Sequence, residues 1–144
     1  MKKLLLGVMA LLAAVTLVAC GSKKDAYESI KENKKLVVAV SPDYAPFEFK
    51  TLVDGKDQVV GSDIKLAQAI ADELGVKLEV TTMSFDNVLS SLQSGKADLA
   101  ISGISVTAER KKTFDFSDPY YETQNAIIVR KDQESTYPSL DAFK

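Results

Sequence analysis

The chain has 144 residues, 46% of them apolar, with 18 basic and 20 acidic side chains and a net charge of −2. That length and mixture suit one globular domain, and no basic stripe argues for a nucleic-acid partner. There is no histidine and only one cysteine, so a Ser–His or Cys–His catalytic pair is excluded.

In chain order, Lys2 and Lys3 precede an apolar run from Leu4 to Ala19 that ends at Cys20. A basic start, a short apolar core and small residues at its end describe an export signal over residues 1–19. The run is short for a membrane-spanning helix. Leu17-Val18-Ala19-Cys20 resembles the bacterial lipoprotein box. That resemblance implies a lipid on Cys20 and a protein anchored on the extracytoplasmic side of the cell membrane; a plain signal or an uncleaved anchor is the alternative. Removing residues 1–19 takes away two lysines and no acids, which moves the net charge to −4. The lack of a second cysteine suits an exported protein without disulfides. Residues 20–33 are polar and charged and read as a tether.

Leu36-Val37-Val38-Ala39-Val40 is a β-branched apolar run that predicts a buried strand. It leads into Ser41-Pro42-Asp43-Tyr44-Ala45-Pro46-Phe47-Glu48-Phe49, where two prolines keep the chain irregular while it presents aromatics. Asp54-Gly55 predicts a hairpin turn before Val59-Val60. Gly61-Ser62-Asp63 opens a helix with Leu66, Ala67, Ile70, Ala71 and Leu74 on one face and Gly75 as its stop. Val76, Leu78 and Val80 alternate with polar residues, as in a half-exposed strand. Ser84-Phe85-Asp86 starts a second helix carrying Val88, Leu89 and Leu92 and ended by Gly95.

The stretch from Ala97 to Arg110 organises the rest. Ala97-Asp98-Leu99-Ala100-Ile101 suits a central strand buried on both faces. Beyond it, Gly103 permits close backbone approach, Ser102 and Ser105 offer small polar groups, and Thr107 can cap a helix with Arg110 in its first turn. An arginine fork beside backbone N–H groups at a strand's carboxyl end suits a carboxylate. Such clusters are also found in ordinary turns with solvated arginines. The order strand, helix, strand, helix, strand predicts an α/β fold with a parallel sheet and flanking helices. The loops carrying Tyr44, Phe85 and Ser102–Arg110 then all leave the carboxyl ends of strands, where ligands sit in open sheets. Residues 125–130 predict one further strand.

No Walker-type loop or dinucleotide fingerprint occurs, and no cofactor or metal is expected. Asp115 and Asp118 could pair for acid–base or metal chemistry, but beside Phe114, Phe116 and Pro119 they fit turn caps better. The chain reads as a binding module, not an enzyme.

From about Leu36 to Lys131 the chain resembles the family 3 extracellular solute-binding proteins, the amino-acid receptors of bacterial ABC importers. The matching pieces are Tyr44-Ala45-Pro46-Phe47-Glu48-Phe49, Gly61 with the first helix, the run Ala97 to Arg110, and Phe114-Asp115-Phe116-Ser117-Asp118-Pro119-Tyr120-Tyr121. The resemblance implies a fold of the type II periplasmic-binding-protein class, with two α/β lobes clamping a free amino acid. It implies that Arg110 pairs with the α-carboxylate, helped by Ser105, and that the carbonyl around Ser102–Gly103 accepts from the α-ammonium. Tyr44 and Phe85 would enclose the side chain, while Phe47 matches a motif position but could equally pack under the loop. The implied partners are a permease, an ATPase and the membrane.

Members taking basic or amide side chains often carry Asp where Ser41 stands, which argues against a strongly basic ligand. Ser62 and Lys65 also depart from the family pattern, at peripheral positions. Members are roughly twice this length. Residues 34–131 are therefore expected to form the first lobe and residues 132–144 the start of a truncated second lobe, with the second lobe itself missing. On that expectation a single lobe leaves its ligand surface facing water and binds weakly. A sensor or interaction domain of the same fold, or a non-functional fragment, is the alternative.

Overall fold

The structure is a computed structural model that describes residues 25–124 and 126–143. The export signal expected over residues 1–19, Cys20 and the start of the expected tether lie outside the described residues. Among those described, no helix is long and apolar enough to cross a membrane. They divide into two compact units, one up to Ser105 and one from Val106. The lobe boundary expected at Lys131 falls inside the second.

The first unit opens with helix α1 (Ala26–Asn33), where Asp25 Oδ1 accepts from the Tyr27 N–H at 3.0 Å. This corrects the reading of residues 26–33 as tether. One apolar residue, Ile30, is buried in the core, and Lys31 Nζ donates to the Leu74 carbonyl at 2.6 Å. A helix docked by one side chain leaves almost no periodic signal in its sequence.

Strand β1 (Lys35–Val40) is followed by β2 (Asp43–Tyr44), β3 (Glu48–Val53) and β4 (Lys56–Val60), which form an antiparallel sheet in the order β2-β3-β4. Asp54-Gly55 makes the two-residue turn between β3 and β4, as its sequence predicts. Helix α2 (Ser62–Leu74), β5 (Lys77–Thr82), helix α3 (Phe85–Gln93) and β6 (Leu99–Ala100) complete the unit. Strands β5, β1 and β6 form a parallel sheet with β1 in the middle.

The central strand is thus β1, not the Ala97–Ile101 run. Strand β6 pairs with β1 at only two positions, Val38↔Leu99 and Ala39↔Ala100, whereas β5 pairs along all six residues of β1. Ala97 and Ile101 are nevertheless buried, because they pack beneath helices rather than inside a long ladder.

The pleat of β1 explains why helices cover both faces. Leu36, Val38 and Val40 pack with Ala67 and Ala71 of α2, while Ala39 packs with Val88 of α3. Successive side chains of one strand therefore serve two separate core layers. Asp98 serves this sheet too, its carboxylate accepting from the Val37 N–H at 2.8 Å while its own N–H donates to the Val37 carbonyl at 2.8 Å.

The second unit contains short 3-10 turns at Arg110–Lys112, Lys131–Gln133 and Leu140–Phe143. The strand expected over 125–130 is not formed at residues 126–130, and Asn125 lies outside the described residues. Ile127 and Ile128 there are exposed, so the β-branched run has no ladder partner among the described residues to bury it.

Candidate functional site

The three parallel strands of the first unit point the same way, so their carboxyl ends share one edge of the sheet. From that edge leave the loops carrying Tyr44, Phe85 and Ser102–Gly103. The end of β6 is set by a side chain. The Ile101 N–H donates to the Ala39 carbonyl at 3.2 Å, and the Ser41 N–H then donates to Ser102 Oγ at 2.9 Å. A hydroxyl at the next rung lets the chain leave the sheet without orphaning the Ser41 donor.

Gly103 follows with φ of +55°, a left-handed conformation that glycine adopts at little cost. A Cβ built there would lie 2.9 Å and 3.1 Å from Tyr44 Cε1 and Cδ1. The Tyr44 ring thus rests against the Gly103 backbone, and it stacks on Phe47 with centroids 5.3 Å apart and planes 19° from parallel. Half of Tyr44 stays exposed, so a face or edge of this held ring is open to a ligand. Phe47 is therefore the ring's support.

The loop bearing Tyr44 is anchored to the start of α2. The Ser62 N–H donates to the Pro46 carbonyl at 3.1 Å and the Asp63 N–H to the Phe47 carbonyl at 2.9 Å. These bonds occupy helix donors that no side chain caps, since Gly61 is the N-cap residue. Gly61 cannot be larger: a Cβ there would lie 2.0 Å from the Phe47 carbonyl oxygen.

Beneath the loop is a polar network that sequence reasoning did not single out. Ser102 Oγ donates to Glu48 Oε1 at 2.6 Å, Ser41 Oγ donates to Asp43 Oδ1 at 3.2 Å, and Ser41, Glu48, Asp63 and Ser102 are all buried. The Glu48 pKa is raised from 4.5 to about 7, chiefly by burial, with Asp63 and Asp43 adding to the rise and the Ser102 hydrogen bond opposing it. The one local signal was an acidic residue between Phe47 and Phe49 on a strand.

The structure brings Tyr44, Ser102 and Gly103 together. Phe85 opens α3 in the same unit and is exposed, with Ser84 Oγ before it accepting from Asn87 Nδ2 at 2.8 Å. Ser105 is exposed at the end of the first unit. Arg110 belongs to the second unit, in a 3-10 turn rather than an α-helix. Thr107 caps that turn, its Oγ1 accepting from the Arg110 N–H at 3.2 Å, and the Phe114 N–H donates to the Arg110 carbonyl at 2.9 Å. Both bonds fix the backbone from which the guanidinium projects.

Residues 36–139 match the family described as bacterial extracellular solute-binding proteins, family 3. The arginine-binding extracellular protein ArtP of Bacillus subtilis (strain 168) is 44% identical over 132 residues, which cover 92% of this chain and 49% of that protein. An amino acid ABC transporter substrate-binding protein from Streptococcus pneumoniae, solved with L-arginine bound, is 65% identical with a TM-score of 0.74. That match covers 83% of this chain and 50% of the solved one. The arginine-bound form of domain 1 from TmArgBP is 45% identical with a TM-score of 0.60, covering 65% of this chain and 71% of that domain. The chain spans about half the length of the curated relatives it matches. The α/β architecture, a parallel sheet with flanking helices, is that of the first lobe of a type II periplasmic-binding-protein fold. The chain belongs to bacterial extracellular solute-binding protein family 3.

Proposed function

We propose that this chain binds a free amino acid by its α-carboxylate and α-ammonium, as the substrate-binding component of an ABC importer, and that its ligand class is the cationic amino acids, L-arginine first. The observation that carries this reading is the L-arginine bound to the 65% identical Streptococcus pneumoniae protein. The arginine-bound domain 1 of TmArgBP supports it for a chain of this extent.

In this reading the Arg110 guanidinium receives the α-carboxylate as a two-pronged fork, with the Ser105 N–H and hydroxyl beside it. The carbonyl around Ser102–Gly103 accepts from the α-ammonium. Tyr44, held against Gly103 and Phe47, offers its ring to the ligand guanidinium, a contact worth about 0.5–2 kcal/mol. Phe85 adds a second exposed aromatic. The expectation that Ser41 disfavours a basic ligand gives way, because Ser41 is buried under the loop with its hydroxyl committed to Asp43. Its identity bears on the loop, not on the ligand side chain.

The lipoprotein box supports a lipid on Cys20 and an extracytoplasmic anchor beside a permease and an ATPase. Labelled fatty acid entering the wild type but not Cys20→Ala checks the anchor. For the ligand, the full chain is titrated calorimetrically with L-arginine, L-glutamine and L-glutamate. Saturable heat with L-arginine, exceeding the other two, is expected. Preference for L-glutamate would overturn the cationic class, and no heat from any of them would overturn the amino-acid reading.

A further inference from the structure

We propose that Glu48 is a positioning residue for the Ser102–Gly103 loop and that its carboxyl works in the protonated form, accepting from Ser102 through Oε1 and donating to Asp63 through Oε2. The argument starts from the Ser102 hydroxyl. Its proton goes to Glu48 Oε1 at 2.6 Å and its oxygen accepts the Ser41 N–H at 2.9 Å, so one side chain joins β3, the end of β1 and the end of β6. Glu48 is the fixed end of that chain of bonds, because it opens β3 and is fully buried.

The second carboxyl oxygen points to the proton. Glu48 Oε2 is sealed from water and meets no hydrogen-bond donor among the described residues. The charged groups acting on the carboxyl are Asp63 on α2 and Asp43 on β2, both acidic. An ionised Glu48 would therefore be a buried negative charge facing like charges with one oxygen unsatisfied, a costly arrangement. A proton on Oε2 converts that acceptor into a donor, and the Asp63 carboxyl is the group able to accept. Asp63 lies in the first turn of α2, where helix N–H groups favour negative charge. The two buried acids then hold one proton between them.

This arrangement has a sign in pH. The folded chain keeps the Glu48 proton up to about pH 7, whereas the unfolded chain releases it near 4.5. Stability from this group is complete below the unfolded value. It falls as pH rises between the two values and is level above about pH 7.

The experiment follows urea unfolding of the full chain at pH 5, 6, 7 and 8 for the wild type and for Glu48→Gln. Glutamine keeps an acceptor for Ser102 and a permanent donor for Asp63, so the wild-type midpoint should fall with rising pH and the Glu48→Gln midpoint should fall less. Parallel curves would overturn the shared proton. In nitrogen–proton spectra the Ser41 amide, which reads the Ser102 hydroxyl, should titrate near pH 7 in the wild type and stay still in Glu48→Gln. A Ser41 amide indifferent to pH would overturn the positioning role.

Should Glu48→Gln fail to fold, Asp63→Asn replaces the acidic neighbour by one that can donate to an ionised Glu48. The fall in stability should then shrink, burial alone remaining to raise the Glu48 pKa, and an undiminished fall would overturn the proposal. The affinity consequence rests on the amino-acid reading above: Glu48→Ala should lose about tenfold in L-arginine affinity while Glu48→Gln stays within about twofold. Equal affinity in Glu48→Ala would overturn the positioning role. If the wild type binds no amino acid, only the functional reading fails, because the pH and amide readouts use no ligand.

Discussion

Leu36-Val37-Val38-Ala39-Val40 and Ala126-Ile127-Ile128-Val129 are runs of nearly the same composition, one in each compact unit, with opposite outcomes. The first is the middle strand of a parallel sheet, with Leu36, Val38, Ala39 and Val40 wholly buried. The second is no strand, and Ile128 is 96% exposed. Strand preference describes a residue that fits a pleated, half-buried surface, so a β-branched run becomes a strand only where partners supply that surface. The first unit supplies β5 and β6 at the edges of β1 and α2 and α3 on its faces. Within the described residues of the second unit there is no strand to pair with.

The difference can be tested by truncation in each region. Leu36→Ala should cost about 2–5 kcal/mol, because it removes buried methyl groups and leaves a cavity between β1 and α2. Urea unfolding checks it, and a loss below about 1 kcal/mol would mean that this layer is not closely packed. Arg110→Ala separates the two regions by function. On the proposed binding mode it should weaken L-arginine binding by roughly 2–5 kcal/mol, since the ligand carboxylate would lose its charged partner. The unfolding midpoint of the first unit should stay in place. Calorimetry beside unfolding reads both, and unchanged affinity would remove Arg110 from the site. Ile128→Ala should be smallest, within about 0.5 kcal/mol, because an exposed side chain leaves no cavity. A larger loss in unfolding would show that Ile128 is covered in solution.

The residues proposed to hold the ligand divide along the same line as packing. Tyr44, Gly103 and the bonds beneath them form one fixed corner in which each element depends on another distant in sequence: Ser41 on Ser102, Glu48 on Ser102, Gly61 on Phe47. Arg110 instead stands on a turn closed by its own neighbours, Thr107 and Phe114. Local turn chemistry suffices to orient an arginine backbone, whereas an open aromatic ring needs support from several strands.

Much of this was legible in the chain itself. Apolar residues three and four apart, with a glycine stop, fixed α2 and α3. Asp54-Gly55 fixed the β3–β4 turn, and the alternation from Val76 to Thr81 marked β5. The motif residues were enough to identify the family. These signals are local, because helix and hairpin geometry depends on neighbours within a few residues.

The tertiary structure decided the rest. It made β1 rather than Ala97–Ile101 the middle strand, docked residues 26–33 as a helix through Ile30, and left 126–130 without a ladder. It also buried Glu48 beside Asp63 and Ser102, giving an acidic residue in a motif a role that its spacing could not disclose. Burial and pairing depend on residues 50 or 60 positions away, as Ser41 and Glu48 depend on Ser102. A pattern read along the chain carries the shape of each element, and only the packed fold settles which partner each one meets.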